Sequence, residues 1–146
     1  MTIFLTGTCA DTAGDLDPKR LNRQIQECCW LINMVEGSGK WKNHPCNFMY
    51  KDHIEWVKLY RECLVAYKNK DFDRCLEISK EAEKIQPKFL CQELYDNFKR
   101  RLYTKDPNFY SQWEHLGKSE TNYYFVDGQW LKYENGKKYI VENIEV

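Results

Sequence analysis

Glu27 is the acidic residue whose neighbours in the sequence best suit acid–base chemistry. Arg23 precedes it by four residues and Arg20 by seven, which places the three side chains on one flank of a helix turning about 100° per residue. A carboxylate beside two cations can exchange protons with a reacting group. The same spacing also describes an ordinary surface ion-pair group. From the spacing alone, both interpretations stay open.

Three histidines are the other candidates for acid–base work. His44 precedes a proline at the start of a predicted helix, where it is either a plain cap or a side chain facing an anion. His53 falls on the apolar side of that helix, as a satisfied core histidine or as a catalyst, and His115 lies in a predicted loop. The sequence has no metal-ligand spacing, so we expect no metal, and it has no Ser, His and Asp arrangement that suggests a triad.

A helix over residues 18–35 must position Glu27. Asp17 is a good N-cap because its carboxylate can accept from the free amides of the first turn, and Pro18 suits the first helical position. Apolar residues then recur at steps of four and three, which predicts a buried stripe of Leu21, Ile25, Cys28, Ile32 and Val35. Glu27 falls outside that stripe, so we expect it at the edge of a buried seam.

The chain is predicted to be mainly α, a compact helical bundle that ends in a three-stranded β-meander. The first fifteen residues are expected to form an extended arm or loop. Further helices are predicted over about 45–67, 71–85 and 88–103, the first of them packed on the helix that carries Glu27.

The C-terminal meander is predicted from two hairpin signals, Asp127-Gly128 and Asn135-Gly136. Three strands on their own are too small to be stable, so they must pack on helices. We therefore expect residues 1–118 to form the helical part, with 119–146 an extension packed on it within a single domain.

The totals limit the class of protein. Acidic and basic residues number 22 each, which counts against a simple electrostatic nucleic-acid binder, although a local basic face can hide in a neutral total. The densest basic group is either such a face or a solvated helix end: Lys99, Arg100, Arg101 and Lys105. Seven cysteines without a Cys-x-x-Cys motif indicate buried thiols in a reducing compartment. We expect an intracellular, cytoplasmic monomer without a membrane span.

Three blocks of residues resemble the pyrimidine-dimer DNA glycosylase family, which includes phage endonuclease V and small bacterial relatives. The first block is residues 16–21 with Gln24 and Glu27. The second is Trp41, Asn43-His44-Pro45 and His53, and the third is Asp106-Pro107 with Tyr110. Their order and approximate spacing hold over about residues 1–118, and the meander lies outside the resemblance.

The resemblance implies a DNA glycosylase with AP-lyase activity on a damaged or modified pyrimidine, working without a cofactor. Family members use the α-amine of the threonine that is exposed when the initiator Met is removed, which here is Thr2. That amine attacks the sugar C1′ and forms a Schiff base, which is covalent catalysis. Glu27 matches the essential glutamate, which stabilises positive charge growing on the sugar and handles protons in β-elimination.

The resemblance also implies a surface for double-stranded DNA, formed by Arg20, Arg23, Asn43, His44, Tyr110, Trp113 and Lys118. The phage member has arginines where this chain has Ile3, Gln26 and Trp30, so we expect weaker phosphate binding with a smaller salt dependence. The alternative function is a non-catalytic member of the same fold that binds DNA, a nucleotide or a protein. A purely structural interaction module is a third interpretation.

Overall fold

The computed structural model describes residues 2–37 and 43–144, which are mainly α-helical with one small sheet, as predicted. Met1, whose removal the resemblance implies, and Trp41 of the second block lie outside the described residues. The chain divides into two compact units, the first ending at Lys88 and the second beginning at Phe89. The division expected at residue 118 stays a prediction.

Three of the described helices in the first unit pack on a fourth, which is central. The described helices of this unit are α1 (Cys9–Asp15), α2 (Pro18–Val35), α3 (Pro45–Tyr50), α4 (Ile54–Lys68) and α5 (Phe72–Lys84). Helix α4 contacts α1, α2 and α5, so the predicted packing of two apolar helix seams is seen between α2 and α4. Among the described helices, none is long and apolar enough to cross a membrane.

Helix α1 corrects the prediction of an arm or loop over the first fifteen residues. The Thr8 hydroxyl accepts from the Asp11 amide at 3.0 Å, and the Asp11 carboxylate accepts from the Thr8 amide at 3.2 Å. This reciprocal capping box satisfies two backbone donors that the first turn leaves free. A short helix therefore forms in a segment whose apolar periodicity is weak. Residues 2–7 remain outside helix and strand.

Helix α2 has the predicted bounds but not the predicted buried face. Asp17 takes the N-cap position without a side-chain cap bond, and its carboxylate pairs with Arg20 at 3.1 Å instead. Ile25, Ile32 and Val35 of the predicted stripe are only partly buried. The buried side chains are Leu21, Gln24, Glu27, Cys28, Leu31 and Met34. The edge position expected for Glu27 was therefore wrong, because the N-terminal segment covers that side of the helix.

The helix predicted over about 45–67 is broken between Tyr50 and Ile54. A turn forms there, in which the His53 amide donates to the Tyr50 carbonyl at 2.8 Å. His53 is thus the partly exposed N-cap of α4 and not a seam residue. In one continuous helix, Tyr50 and Trp56 would point about 120° apart. The break lets their rings stack at 5.8 Å, and Trp56 stacks on Tyr60 at 5.3 Å.

We expect Trp56→Ala to lower the free energy of unfolding by about 3–5 kcal/mol, because Trp56 is buried between two stacked tyrosines. Leu76→Ala on α5 is the control, since that side chain is 53 % exposed and its loss should cost within about 0.5 kcal/mol. Urea unfolding of the two variants and the wild type measures both values. Equal effects would contradict the placement of Trp56 in the core.

The second unit combines one α-helix with the predicted meander. Its described elements are α6 (Gln92–Lys105), a 3-10 helix (Ser111–Leu116), β1 (Asn122–Val126), β2 (Gln129–Glu134) and β3 (Lys137–Val141). The strands are antiparallel in the order β1-β2-β3. Both hairpin turns have positive φ at their two central residues, as the Asp-Gly and Asn-Gly pairs predict. The Asn97 side chain donates to the Thr121 carbonyl at 3.0 Å, which ties α6 to the start of the sheet.

Candidate active site

The N-terminal segment is held against α2 by one buried glutamine. The Gln24 Nε2 donates to the Thr2 carbonyl at 2.7 Å, and its Oε1 accepts from the Phe4 amide at 3.0 Å. The Tyr60 hydroxyl of α4 donates to the Phe4 carbonyl. Ile3, Phe4 and Leu5 are buried along this path. The segment that contains Thr2 is therefore fixed by contacts to two helices.

The structure brings the two predicted catalytic residues, Thr2 and Glu27, into direct contact. The backbone nitrogen of Thr2 donates a hydrogen bond to the Glu27 carboxyl. One carboxyl oxygen of Glu27 also accepts from the Gln24 Nε2 at 2.9 Å, and the other lies 3.5 Å from the Arg23 Nε. Glu27 is buried, whereas Thr2 is partly exposed. The backbone nitrogen of a partly exposed residue thus contacts a buried acid.

Burial raises the pKa of the Glu27 carboxyl above its ordinary value, because the charged form loses solvation. The hydrogen bond from Thr2 and the guanidinium of Arg23 oppose this effect without cancelling it. The net effect moves the pKa of the carboxyl toward neutral pH, where a group can both hold and release a proton. A perturbed acid of this kind is typical of functional sites.

We expect Glu27→Gln to make the protein more stable at pH 7. Since the folded-state pKa of Glu27 is raised, its stabilising contribution is present below the ordinary glutamate pKa of about 4.3 and is lost as pH rises through the folded value. Removing the charge should therefore raise Tm at pH 7 and have less effect near pH 3.5. Thermal unfolding at both pH values measures this. The Tm difference between Glu27→Gln and the wild type is compared at the two pH values. A smaller gain at pH 7 than at pH 3.5 would contradict the burial of a costly charge.

The two arginines near Glu27 differ in how accessible they are. Arg20 is paired with Asp17 and its side chain is 23 % exposed, whereas that of Arg23 is 58 % exposed. The guanidinium of Arg23 also lies 4.9 Å from the centre of the Trp30 ring, a favourable cation–π contact. Trp30 therefore stabilises the guanidinium of Arg23. The phage member has a cation at the position of Trp30.

Helix α3 brings His44 beside the N-terminal segment. The Nδ1 of His44 accepts from the Cys46 amide at 3.1 Å, so the residue caps this helix. Burial lowers the pKa of His44 to about 4, which leaves the imidazole neutral at pH 7. The thiol of Cys46 accepts in turn from the Ile3 amide, and Asn43 is exposed. His44 can therefore donate one hydrogen bond from its other ring nitrogen but carries no positive charge at pH 7.

The second unit contains the other residues predicted to bind DNA. Tyr110 and Trp113 are stacked at 5.3 Å with nearly parallel rings, and both are buried. Their contact with DNA stays a prediction. Phe109 and Lys118 of the same segment are exposed. The Lys99 Nζ lies 5.8 Å from the Trp113 ring centre.

Sequence reasoning missed the part played by Gln24 and Tyr60 in holding the N-terminal segment. Gln24 belongs to the first block of the family resemblance, but the sequence predicted no function for it. Its signal was a polar residue three positions before Glu27, on the side of α2 that proves to be buried. Within residues 2–37 and 43–144, no group of three or more side chains is placed to hold a metal ion.

Comparison with known families adds a finding independent of the geometry. Residues 1–68 match the family model described as pyrimidine dimer DNA glycosylase. The match includes Thr2, Glu27 and the block around His44, and it ends before the third block of the resemblance. Neither the curated proteins nor the solved structures include a significant match. The resemblance seen in the sequence is thus confirmed for this part of the chain: residues 1–68 match the pyrimidine dimer DNA glycosylase family.

Proposed function

We propose that this protein is a DNA glycosylase with AP-lyase activity on a damaged or modified pyrimidine in double-stranded DNA. The observation that carries the proposal is the contact between the Thr2 nitrogen and the buried carboxyl of Glu27. When the chain begins at Thr2, that nitrogen is a primary amine. Its ordinary pKa of about 7.7–8.0 leaves a useful neutral fraction near pH 7.

In the proposed reaction, the neutral amine of Thr2 bonds to C1′ of the target nucleotide. The C1′–N bond to the pyrimidine breaks, and the base departs with its electron pair and takes up a proton. Opening of the sugar at the ring oxygen then gives a protonated Schiff base between Thr2 and C1′. Removal of a C2′ proton lets the C3′–O bond break, which cuts the strand. No metal is needed for this amine chemistry.

Glu27 has two tasks in this scheme. As a carboxylate, it takes a proton from the attacking amine and stabilises positive charge developing on the sugar. Its raised pKa then suits it to hold that proton and return it to a leaving group. Its contact with Thr2 supports both tasks, because proton transfer requires hydrogen-bond distance.

DNA contacts are proposed on both units. On the first, Arg23 is the accessible cation next to Glu27, and Arg20, Asn43 and His44 supply further polar groups on α2 and near the start of α3. On the second, the proposed contacts are Tyr110, Trp113 and Lys118. A damaged step is cheaper to open than an intact one, which favours displacement of the target nucleotide from the stack. We propose an intracellular monomer.

Borohydride trapping tests the proposal. Protein shown by intact mass to begin at Thr2 is mixed with duplex DNA containing an abasic site or a pyrimidine dimer, and reduced. We expect a covalent protein–DNA adduct on both substrates and strand cleavage without reductant. A homogeneous preparation that begins at Thr2 and yields no adduct on the abasic duplex would contradict the proposal.

A non-catalytic DNA-binding function is the second candidate. The formal net charge is zero, and both Arg20 and Arg23 already have acidic partners, which suits modest DNA binding. This candidate predicts retention of dimer-containing duplex in a gel-shift assay without adduct or cleavage. The trapping experiment therefore separates the two functions.

A further inference from the structure

Gln24 connects the two residues of the candidate site through a single side-chain amide. Its Nε2 donates to the Thr2 carbonyl at 2.7 Å and to the Glu27 carboxyl at 2.9 Å. We propose that Gln24 is a positioning residue that keeps the Thr2 nitrogen and the Glu27 carboxyl in reacting alignment, an inference that rests on the proposed function. It acts through its contacts with Thr2 and Glu27 and transfers no proton itself.

The orientation of the Gln24 amide is fixed by its other partners. The Phe4 backbone N–H can only donate, so the Gln24 atom that lies 3.0 Å from the Phe4 nitrogen must be the amide oxygen. The Tyr60 hydroxyl lies 3.4 Å from the same oxygen. The NH2 group therefore faces Thr2 and Glu27, where it meets two acceptors. A flipped amide would place donors against the Phe4 N–H and would lose both contacts to the site.

Burial makes this arrangement rigid. Gln24 is 1 % exposed and Tyr60 is fully buried, so water has little access to replace a lost contact. A buried donor or acceptor that is left unpaired destabilises the protein, which holds the amide in its single satisfied orientation. Since Gln24 and Glu27 are three residues apart on α2, the helix backbone fixes their separation.

The residue type follows from these contacts. The side chain at this position must accept one hydrogen bond from the Phe4 N–H and donate two, to the Thr2 carbonyl and the Glu27 carboxyl. A glutamine amide supplies all three. A glutamate would present oxygens to the Glu27 carboxyl and repel it. A methionine of similar size would fill the space but donate nothing. The side chain thus aligns the N-terminal segment and orients the carboxyl at the same time.

The test compares Gln24→Met with Gln26→Met, an exposed glutamine on the same helix. The first measurement is the pKa of the Glu27 carboxyl, by carbon-13 NMR titration of the full chain. Because a donated hydrogen bond favours the carboxylate, its loss in Gln24→Met should raise that pKa by about one pH unit. Gln26→Met should leave it unchanged. An unchanged value in Gln24→Met would overturn the proposal.

The second measurement is the single-turnover rate of borohydride-trapped adduct on abasic duplex, with the dissociation constant for the same duplex. A displaced nucleophile should slow adduct formation up to about 100-fold in Gln24→Met, with DNA affinity unchanged. Equal rates in the two methionine variants would overturn the proposal. If the wild type forms no adduct, the proposed function fails, and the titration of Glu27 still decides whether Gln24 orients it.

Tyr60→Phe keeps the test decisive if Gln24→Met does not fold. This variant removes the hydroxyl contacts to the Phe4 carbonyl and the Gln24 oxygen but retains the ring stacked on Trp56. We expect the pKa of Glu27 to rise and the adduct rate to fall, each by less than in Gln24→Met. No change in either quantity would overturn the role of Gln24.

Discussion

Replacing Glu27 with glutamine is expected to lower the rate of adduct formation on abasic DNA by about 10²–10⁴-fold, the range over which a positioned acid–base group contributes. The amide can still accept a hydrogen bond from Thr2, but it can neither take a proton from the attacking amine nor balance positive charge on the sugar. DNA affinity should change little, because Glu27 is buried. Single-turnover trapping gives the rate, and gel-shift titration gives the affinity.

Glu36→Gln is the matched control for this variant. Glu36 follows α2, its side chain is 53 % exposed, and it pairs with Lys58 at 3.0 Å, away from Thr2. Its adduct rate should equal that of the wild type. Because Glu27→Gln is expected to be more stable at pH 7, its loss of rate cannot be ascribed to unfolding. Similar rates for the two variants would remove Glu27 from the mechanism.

Retaining one residue before Thr2 is expected to abolish adduct formation. In a chain that starts at Met1, the Thr2 nitrogen belongs to a peptide bond, whose lone pair is delocalised and not nucleophilic. In a chain that starts at Thr2, it is a free amine next to Glu27. Cleavage of a removable fusion immediately before Met1 or before Thr2 gives the two forms, and intact mass verifies each one. Trapping on abasic duplex then compares them.

The outcome for the two forms is sharply defined. The form beginning at Thr2 should give the adduct, and the form beginning at Met1 should give only background at equal protein concentration. Unfolding curves that coincide would show that the extra residue acts on chemistry and not on the fold. Equal adduct yields from the two forms would exclude the Thr2 nitrogen as the nucleophile.

The start of α2 and both hairpin turns could be predicted from a few adjacent residues, because their backbone conformations depend on those residues alone. Pro18 after Asp17 marked the start of α2 correctly, and the Asp127-Gly128 and Asn135-Gly136 pairs marked both hairpin turns. These features depend on the backbone conformations that proline, glycine, aspartate and asparagine favour. They required no knowledge of what packs against them.

Contacts between distant residues explain what the sequence did not predict. Glu27 is buried because a segment near residue 4 crosses α2 and is anchored there by Gln24, twenty residues away. The break before α4 allows Tyr50 and Trp56 to stack, a contact that helix periodicity does not encode. The family resemblance predicted Thr2 and Glu27 as partners, and the structure adds the buried amide between them.

The location of the covalent bond tests the central claim most directly. The borohydride-reduced complex of the form beginning at Thr2 is digested with protease and nuclease, and the modified peptide is sequenced by mass spectrometry. We predict a single sugar remnant on the α-nitrogen of Thr2, and none in Glu27→Gln trapped for the same time. A remnant on a lysine side chain, with the Thr2 nitrogen unmodified, would contradict the account.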